Sequence, residues 1–167
     1  MTGDLVFWSG RSIWSRLIRL RSESHFSHVG MIVERDDRTW VVESLEGKGV
    51  RLVPLSVWSD WVRQRQGHYA IYSLQASDVQ RSEAAKFMLD RVGLEYASPR
   101  QFIRSFGWLS RKVCRWLGLP ADEDATRYFC SELVAAALSS ADLRIPKSPA
   151  MMTPGDVALL PYLDKIT

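Results

Sequence analysis

Short runs rich in β-branched and aromatic residues mark strands through the first half of the chain, and apolar positions recur at helical spacing through the second. Leu5 to Trp8 reads as a short strand. From Ser12 to Leu20, Ile13, Trp14, Leu17 and Ile18 fall on one stripe, which predicts a helix. Ser27 to Val33 and Thr39 to Leu45 are rich in β-branched residues and are separated by Arg35-Asp36-Asp37-Arg38, a hairpin signal. Val50 to Val53 is a third short strand ended by Pro54, Leu55 to Arg63 a turn or two of helix with Trp58 and Trp61, and Tyr69 to Leu74 a further strand.

Helical signals dominate from residue 77 onward. Ser77-Asp78-Val79-Gln80 has the form of a capping box. Ala84, Phe87, Met88 and Val92 recur at helical spacing behind it, and Gly93 is placed to stop the helix. Pro99 to Leu117 is expected to be helical with a break at Gly107. Ser131 to Ser139 is expected to be helical with Leu133, Val134, Ala137 and Leu138 inward, and Asp156 to Leu160 to add a short strand. Strands first and helices second predict an α+β fold, a small antiparallel sheet packed against helices.

Composition narrows the setting. A chain of 167 residues with 46% hydrophobic and 25% charged residues suits one globular domain, taken here as 1–167. No apolar run approaches the roughly 18 residues that span a bilayer. Met1-Thr2-Gly3-Asp4 lacks the basic start of a signal peptide, so a cytoplasmic location is expected, with carriage on a phage particle or export by another route as other settings. Two cysteines make no disulfide framework and fit a reducing compartment. The net charge of +3 is mild, but its distribution is uneven. Arg11, Arg16, Arg19 and Arg21 crowd one segment; Arg100, Arg104, Arg111, Lys112 and Arg115 crowd another. Trp14, Trp108 and Trp116 lie within them. Such segments are either interfacial anchors for an anionic membrane or ordinary amphipathic helices with a solvated face. No nucleic-acid motif accompanies them, and no nucleic-acid partner is expected.

The candidate chemistry begins at Cys130, at or just before the start of an apolar helix. A thiol there meets unpaired backbone N–H groups and the positive end of the helix dipole, which favour thiolate. The plainer reading is a small buried hydrophobe. Of the three histidines, His68 reads as surface, His25 precedes a strand and His28 begins it. If Asp36-Asp37 is a two-residue turn, His28 opposes Leu45 and Gly30 opposes Glu43. His28 and Glu43 then share a face on a diagonal of about 7–8 Å, within reach of long side chains. A carboxylate there holds the imidazole in the tautomer that accepts a proton from sulfur. A one-residue slip ends the argument and leaves Glu43 a solvated strand residue. Cys114, mid-helix, reads as structural. No Cys/His pair has zinc-ligand spacing, and phosphate loop, GxSxG and dinucleotide fingerprints are missing, so neither metal nor cofactor is expected.

Several short motifs, in order, carry a resemblance. They are Gly3-Asp4-Leu5-Val6-Phe7, Ser27-His28-Val29-Gly30-Met31, Val41-Val42-Glu43-Ser44, Gly93-Leu94-Glu95-Tyr96, Phe129-Cys130-Ser131-Glu132-Leu133-Val134 and Thr153-Pro154-Gly155-Asp156. Together they resemble the circularly permuted branch of the NlpC-type papain-like cysteine hydrolases, its YiiX-like members above all. In that branch the histidine precedes the cysteine, as His28 precedes Cys130 here. The resemblance implies a papain-like α+β fold and a Cys130, His28, Glu43 triad. Tyr96 is then a substrate-binding or oxyanion residue, where the plain reading is a packed aromatic.

The implied activity is cysteine-dependent cleavage of an amide bond, with peptides of the peptidoglycan type as a substrate class. A lipid acyl hydrolase or acyltransferase working at a membrane surface with the same triad is the alternative. A catalytically silent domain that binds a peptide, lipid or protein is a third reading.

Overall fold

The computed structural model describes residues 1–10, 13–65, 67–96 and 127–166. Its centre is a six-stranded antiparallel sheet formed by β1 (Leu5–Ser9), β2 (His28–Arg35), β3 (Arg38–Leu45), β4 (Gly49–Pro54), β5 (His68–Leu74) and β8 (Leu163–Lys165). The strand order is β4-β3-β2-β1-β5-β8. Two further short strands, β6 (Glu95–Tyr96) and β7 (Arg127–Tyr128), pair in parallel, Glu95 with Arg127 and Tyr96 with Tyr128. The helices are α1 (Ile13–Ser22), α2 (Leu55–Gln64), α3 (Asp78–Leu89), α4 (Cys130–Ser140) and α5 (Pro154–Ala158). The fold is the expected α+β arrangement.

Alternation along the strands builds two cores, one on each face of the sheet. Leu5, Phe7, Val29, Met31, Val33 and Val42 pack with Ala84, Ala85 and Met88 of α3 and Leu133, Val134, Ala137 and Leu138 of α4. Val6, Trp8, Ile32 and Val41 point the other way and are covered by Trp58 and Val62 of α2. The sheet is therefore buried on both sides, which is why β1 and the start of β2 read as continuous apolar runs rather than alternating ones.

The β2–β3 register follows the two-residue turn. Asp36 and Asp37 both have positive φ, 52° and 54°, as a type I′ hairpin turn requires. Arg35 pairs with Arg38 and Met31 with Val42. The β3–β4 hairpin is tied differently. Lys48 N–H donates to the Leu45 carbonyl at 2.9 Å, with Gly47 at φ 72° inside the turn. This sets Glu43 opposite Arg51.

Two expectations need correction. Asp156 to Leu160 is not a strand. Thr153 Oγ1 accepts from the Asp156 N–H, the Asp156 carboxylate accepts from the Thr153 N–H, and Pro154 stands at the first helical position. These are helix-start signals, and they produce α5; the strand of this tail lies later, at Leu163–Lys165, paired with β5. Val92 does not extend the apolar stripe of α3. The helix ends at Leu89, and Val92 is 43% exposed. The chain leaves the helix to bond the edge of the sheet: Gly93 N–H donates to the Val50 carbonyl and Val50 N–H to the Leu94 carbonyl, both at 2.8 Å. The helix expected over Pro99 to Leu117, with Cys114 and the second basic segment, lies outside the described residues. Among the described residues no helix is long and apolar enough to cross a membrane.

Candidate functional site

His28 stands at the first position of β2, where Trp8 of β1 is its cross-strand neighbour. Its approach is pinned from both sides of Ser27. The Ser27 N–H donates to the Trp8 carbonyl at 3.0 Å, and Ser27 Oγ accepts the Gly10 N–H at 2.8 Å. The Trp8 ring leans on the imidazole with centroids 5.7 Å apart. His25 and His68, by contrast, are exposed.

Glu43 is fully buried. Its Oε2 accepts from His28 Nε2 at 2.8 Å and from Trp58 Nε1 at 2.9 Å. Its Oε1 accepts from Arg51, whose Nε lies at 3.0 Å and whose Nη2 is closer still. Every partner is an N–H donor, so the group is held as a carboxylate despite burial. Burial alone raises a carboxyl; His28, Arg51 and the Trp58 N–H outweigh it and bring Glu43 down to about 2. The close approach to His28 also depends on Gly30. A methyl there would stand 3.1 Å from the Glu43 Cβ and 3.0 Å from the Val42 carbonyl oxygen.

The orientation of Glu43 settles the tautomer of His28. A carboxylate accepts only, so Nε2 carries a proton, and Nδ1 is left for the thiol of Cys130, to which His28 is hydrogen-bonded. Burial pushes the imidazole down; the negative charges of Cys130 and Glu43 more than reverse that, to about 10. Cys130 moves the opposite way. Burial raises the thiol, but the His28 charge and hydrogen bond, with the Val29 and Ser131 backbone groups, bring it below its ordinary value.

Cys130 opens α4, and its buried thiol is anchored by its neighbours. The Phe129 N–H is capped by Glu132 at 3.2 Å, and the Ser131 hydroxyl donates to the Met152 carbonyl at 2.7 Å. Ser44, next to Glu43 but on the opposite face of β3, donates its hydroxyl to the Tyr128 carbonyl at 2.7 Å. One strand thus references both halves of the site: the imidazole through Glu43 and the cysteine loop through Ser44.

Of the four sequence-derived site residues, the structure brings Cys130, His28 and Glu43 into one hydrogen-bonded chain. The backbone of Tyr96 pairs with that of Tyr128, two residues before the cysteine; its side chain lies outside what is described. Sequence reasoning missed Arg51 and Trp58. Arg51 lies directly across from Glu43, but in a register set by Gly47 and Gly49 rather than by a two-residue turn. Trp58 required knowing that α2 crosses the sheet with its tryptophans inward. Among the described residues, no group of three or more His, Cys, Asp or Glu is arranged to hold a metal ion.

The comparisons with known proteins agree with this architecture. An uncharacterized protein, YiiX of Escherichia coli strain K12, is 27% identical over 139 residues, which are 80% of this chain and 54% of that protein. The chain thus spans about half the length of the curated relative it matches. A crystal structure of metalloprotein yiiX from Escherichia coli O157:H7 superposes with a TM-score of 0.72 at 22% identity, covering 100% of this chain and 96% of that one, a likeness of fold. Residues 1–102 match the model of a permuted papain-like amidase family. The chain belongs to that family, the permuted papain-like amidases of the YaeF/YiiX, C92 type.

Proposed function

We propose that the protein is a cysteine hydrolase that cleaves an amide bond. The observation that carries this reading is the buried chain Glu43–His28–Cys130, with Nε2 committed to the carboxylate. In this reading the Cys130 thiolate attacks the carbonyl carbon, and a sulfur–carbon bond forms. The N–H groups at the start of α4, that of Cys130 first, take the developing oxyanion. The His28 imidazolium gives its Nδ1 proton to the departing amine. Water then attacks the thioester, giving a proton to His28; the carbon–sulfur bond breaks, releasing the acid and restoring the thiolate–imidazolium pair. Glu43 keeps the imidazole oriented throughout. Peptides of the peptidoglycan type are the substrate class. The similar yiiX structure is called a metalloprotein. Here the Glu43 oxygens are taken by His28, Trp58 and Arg51, and His28 lies between Glu43 and Cys130, so these residues do not fit a metal ion, and the steps above are written on the side chains alone.

The test is amine release from peptide amides and muropeptides. Cys130→Ala abolishes it, and His28→Ala lowers kcat/KM by about 10²–10⁴-fold. Full turnover by folded Cys130→Ala sinks the reading.

A second reading keeps the site and takes the acyl group from a lipid. It draws on α1, where Arg16 is exposed, Leu20 is 77% exposed and no acidic residue occurs between 13 and 22. Such a surface suits an anionic membrane. Salt-sensitive binding to anionic vesicles together with release of fatty acid, and no amine release from peptides, would move the assignment to lipids.

A further inference from the structure

The proposed chemistry needs a positive imidazolium and a negative thiolate side by side in a buried place, and a third charge, Glu43, already sits against the imidazolium. If that were all, the site would hold one cation and two anions out of water. Arg51 changes the count. It lies on β4 directly across from Glu43, and it is only 25% exposed. Its Nε and Nη2 both donate to Oε1, the oxygen that His28 and Trp58 leave free. It also lies over the Trp61 ring of α2, 5.7 Å from the centroid. With Arg51 present, Glu43, Arg51, His28 and Cys130 sum to zero when the last two are ionised.

We infer that Arg51 is a positioning residue for the thiol chemistry: it occupies one oxygen of Glu43, leaves the other to His28, and supplies the cation that allows thiolate and imidazolium to coexist at the mouth of α4. The inference rests on the proposed hydrolase reading. The charged groups around Glu43 come from every element packed on it: His28 from β2 and Arg51 from β4, with the neutral donor Trp58 from α2 and, beyond His28, Cys130 from α4. Without the guanidinium, the Glu43 carboxylate alone balances an imidazolium, and a thiolate becomes an uncompensated second anion. A purely structural arginine would stabilise the sheet edge and leave the ionisation of the thiol where it is.

The experiment is the pH dependence of iodoacetamide alkylation at Cys130, read by mass spectrometry, in the wild type, Arg51→Gln and Arg51→Lys. Thermal melts establish folding. Arg51→Gln keeps a donor for Glu43 and removes the charge. The expected result is an acid limb displaced upward by at least one pH unit, so that alkylation on that limb is at least tenfold slower at equal pH, with Arg51→Lys close to wild type. An unmoved limb in folded Arg51→Gln overturns the role of Arg51 while leaving the hydrolase reading intact. If Arg51→Gln does not fold, Arg51→Met takes its place, keeping packing over Trp61 without the charge: a limb raised by a full unit supports the charge argument, and an unmoved limb overturns it. If wild-type Cys130 alkylates like a free thiol, with a pKa near 8.5, the hydrolase reading and this inference fall together.

Discussion

At the scale of single residues, the site is organised around one buried carboxylate rather than around the cysteine. Glu43 receives donors from β2, β4 and α2, and each restricts it in a different direction. Trp58 is the donor whose role separates most cleanly from charge. Its indole is fully buried in the core under α2, and its N–H bonds the same oxygen as His28. Trp58→Phe keeps most of the apolar volume and removes the N–H. Hydrogen bonds to charged groups contribute about 1.5–3 kcal/mol, so a loss of that size in urea unfolding is expected. Amide turnover should fall with it, since Oε2 then has only His28 to hold it. A variant as stable as wild type would mean that water or a neighbour replaces the indole.

At the scale of elements, β3 and its two turns decide whether the site exists. The pairing of His28 with Glu43 was legible in the sequence because a period of two and a two-residue turn leave one register; Asp36 and Asp37 accept the positive φ that this turn demands. Arg51 was not legible in the same way, because the β3–β4 connection is asymmetric and its register rests on Gly47 and Gly49, both at φ 72°. The contribution of Trp58 depended on the path of α2 across the sheet, which no local pattern encodes. The tail was misread for a simpler reason. A five-residue helix is too short to display its periodicity, and only its capping residues announced it.

Gly49 gives this scale its prediction. A Cβ at that position would stand 2.4 Å from the Leu94 carbonyl oxygen, on a backbone that already has a left-handed φ. The same contact region holds the Val50–Leu94 and Gly93–Val50 hydrogen bonds that bind the sheet edge to the segment leading into β6. Gly49→Ala therefore combines a left-handed penalty of about 1–2 kcal/mol with a backbone clash. A drop of more than about 2 kcal/mol in unfolding free energy is expected, with faster hydrogen exchange at Val50 and Gly93. Unchanged exchange there would mean that the edge does not depend on this close approach.

At the scale of the whole molecule, burying Glu43, His28 and Cys130 in one site makes stability a function of pH, and the signs differ among them. Glu43 is depressed from 4.5 to about 2, so its contribution is complete above its unfolded value of 4.5 and is lost as pH falls through about 2. That interval is worth about 3 kcal/mol. His28 is raised from 6.5 to about 10; its contribution is complete below 6.5 and is lost as pH rises through about 10. Cys130 is depressed, so its contribution is complete above its unfolded value of 9.0 and is lost as pH falls through its folded value. On the alkaline side the two partly cancel, because His28 loses over a range in which Cys130 gains. On the acid side Glu132, whose carboxyl burial raises, gains stability as pH falls and works against Glu43, while Asp156, depressed beside Lys147 despite its partial burial, and Glu34, lowered by its bond to the N-terminal ammonium, add to the same limb as Glu43. Urea unfolding midpoints measured from pH 2 to 10 should therefore fall steeply below 4.5 and change gently from 6.5 to 9. Glu43→Gln isolates the cause. It leaves Arg51 and His28 without their carboxylate and lowers stability at neutral pH by about 3–5 kcal/mol. Its acid limb should be flatter than that of the wild type, keeping the parts that come from Asp156 and Glu34. Parallel acid limbs in the two proteins would show that the stability of the molecule against acid lies outside this site, and that the charge set around Glu43 serves chemistry without holding the fold.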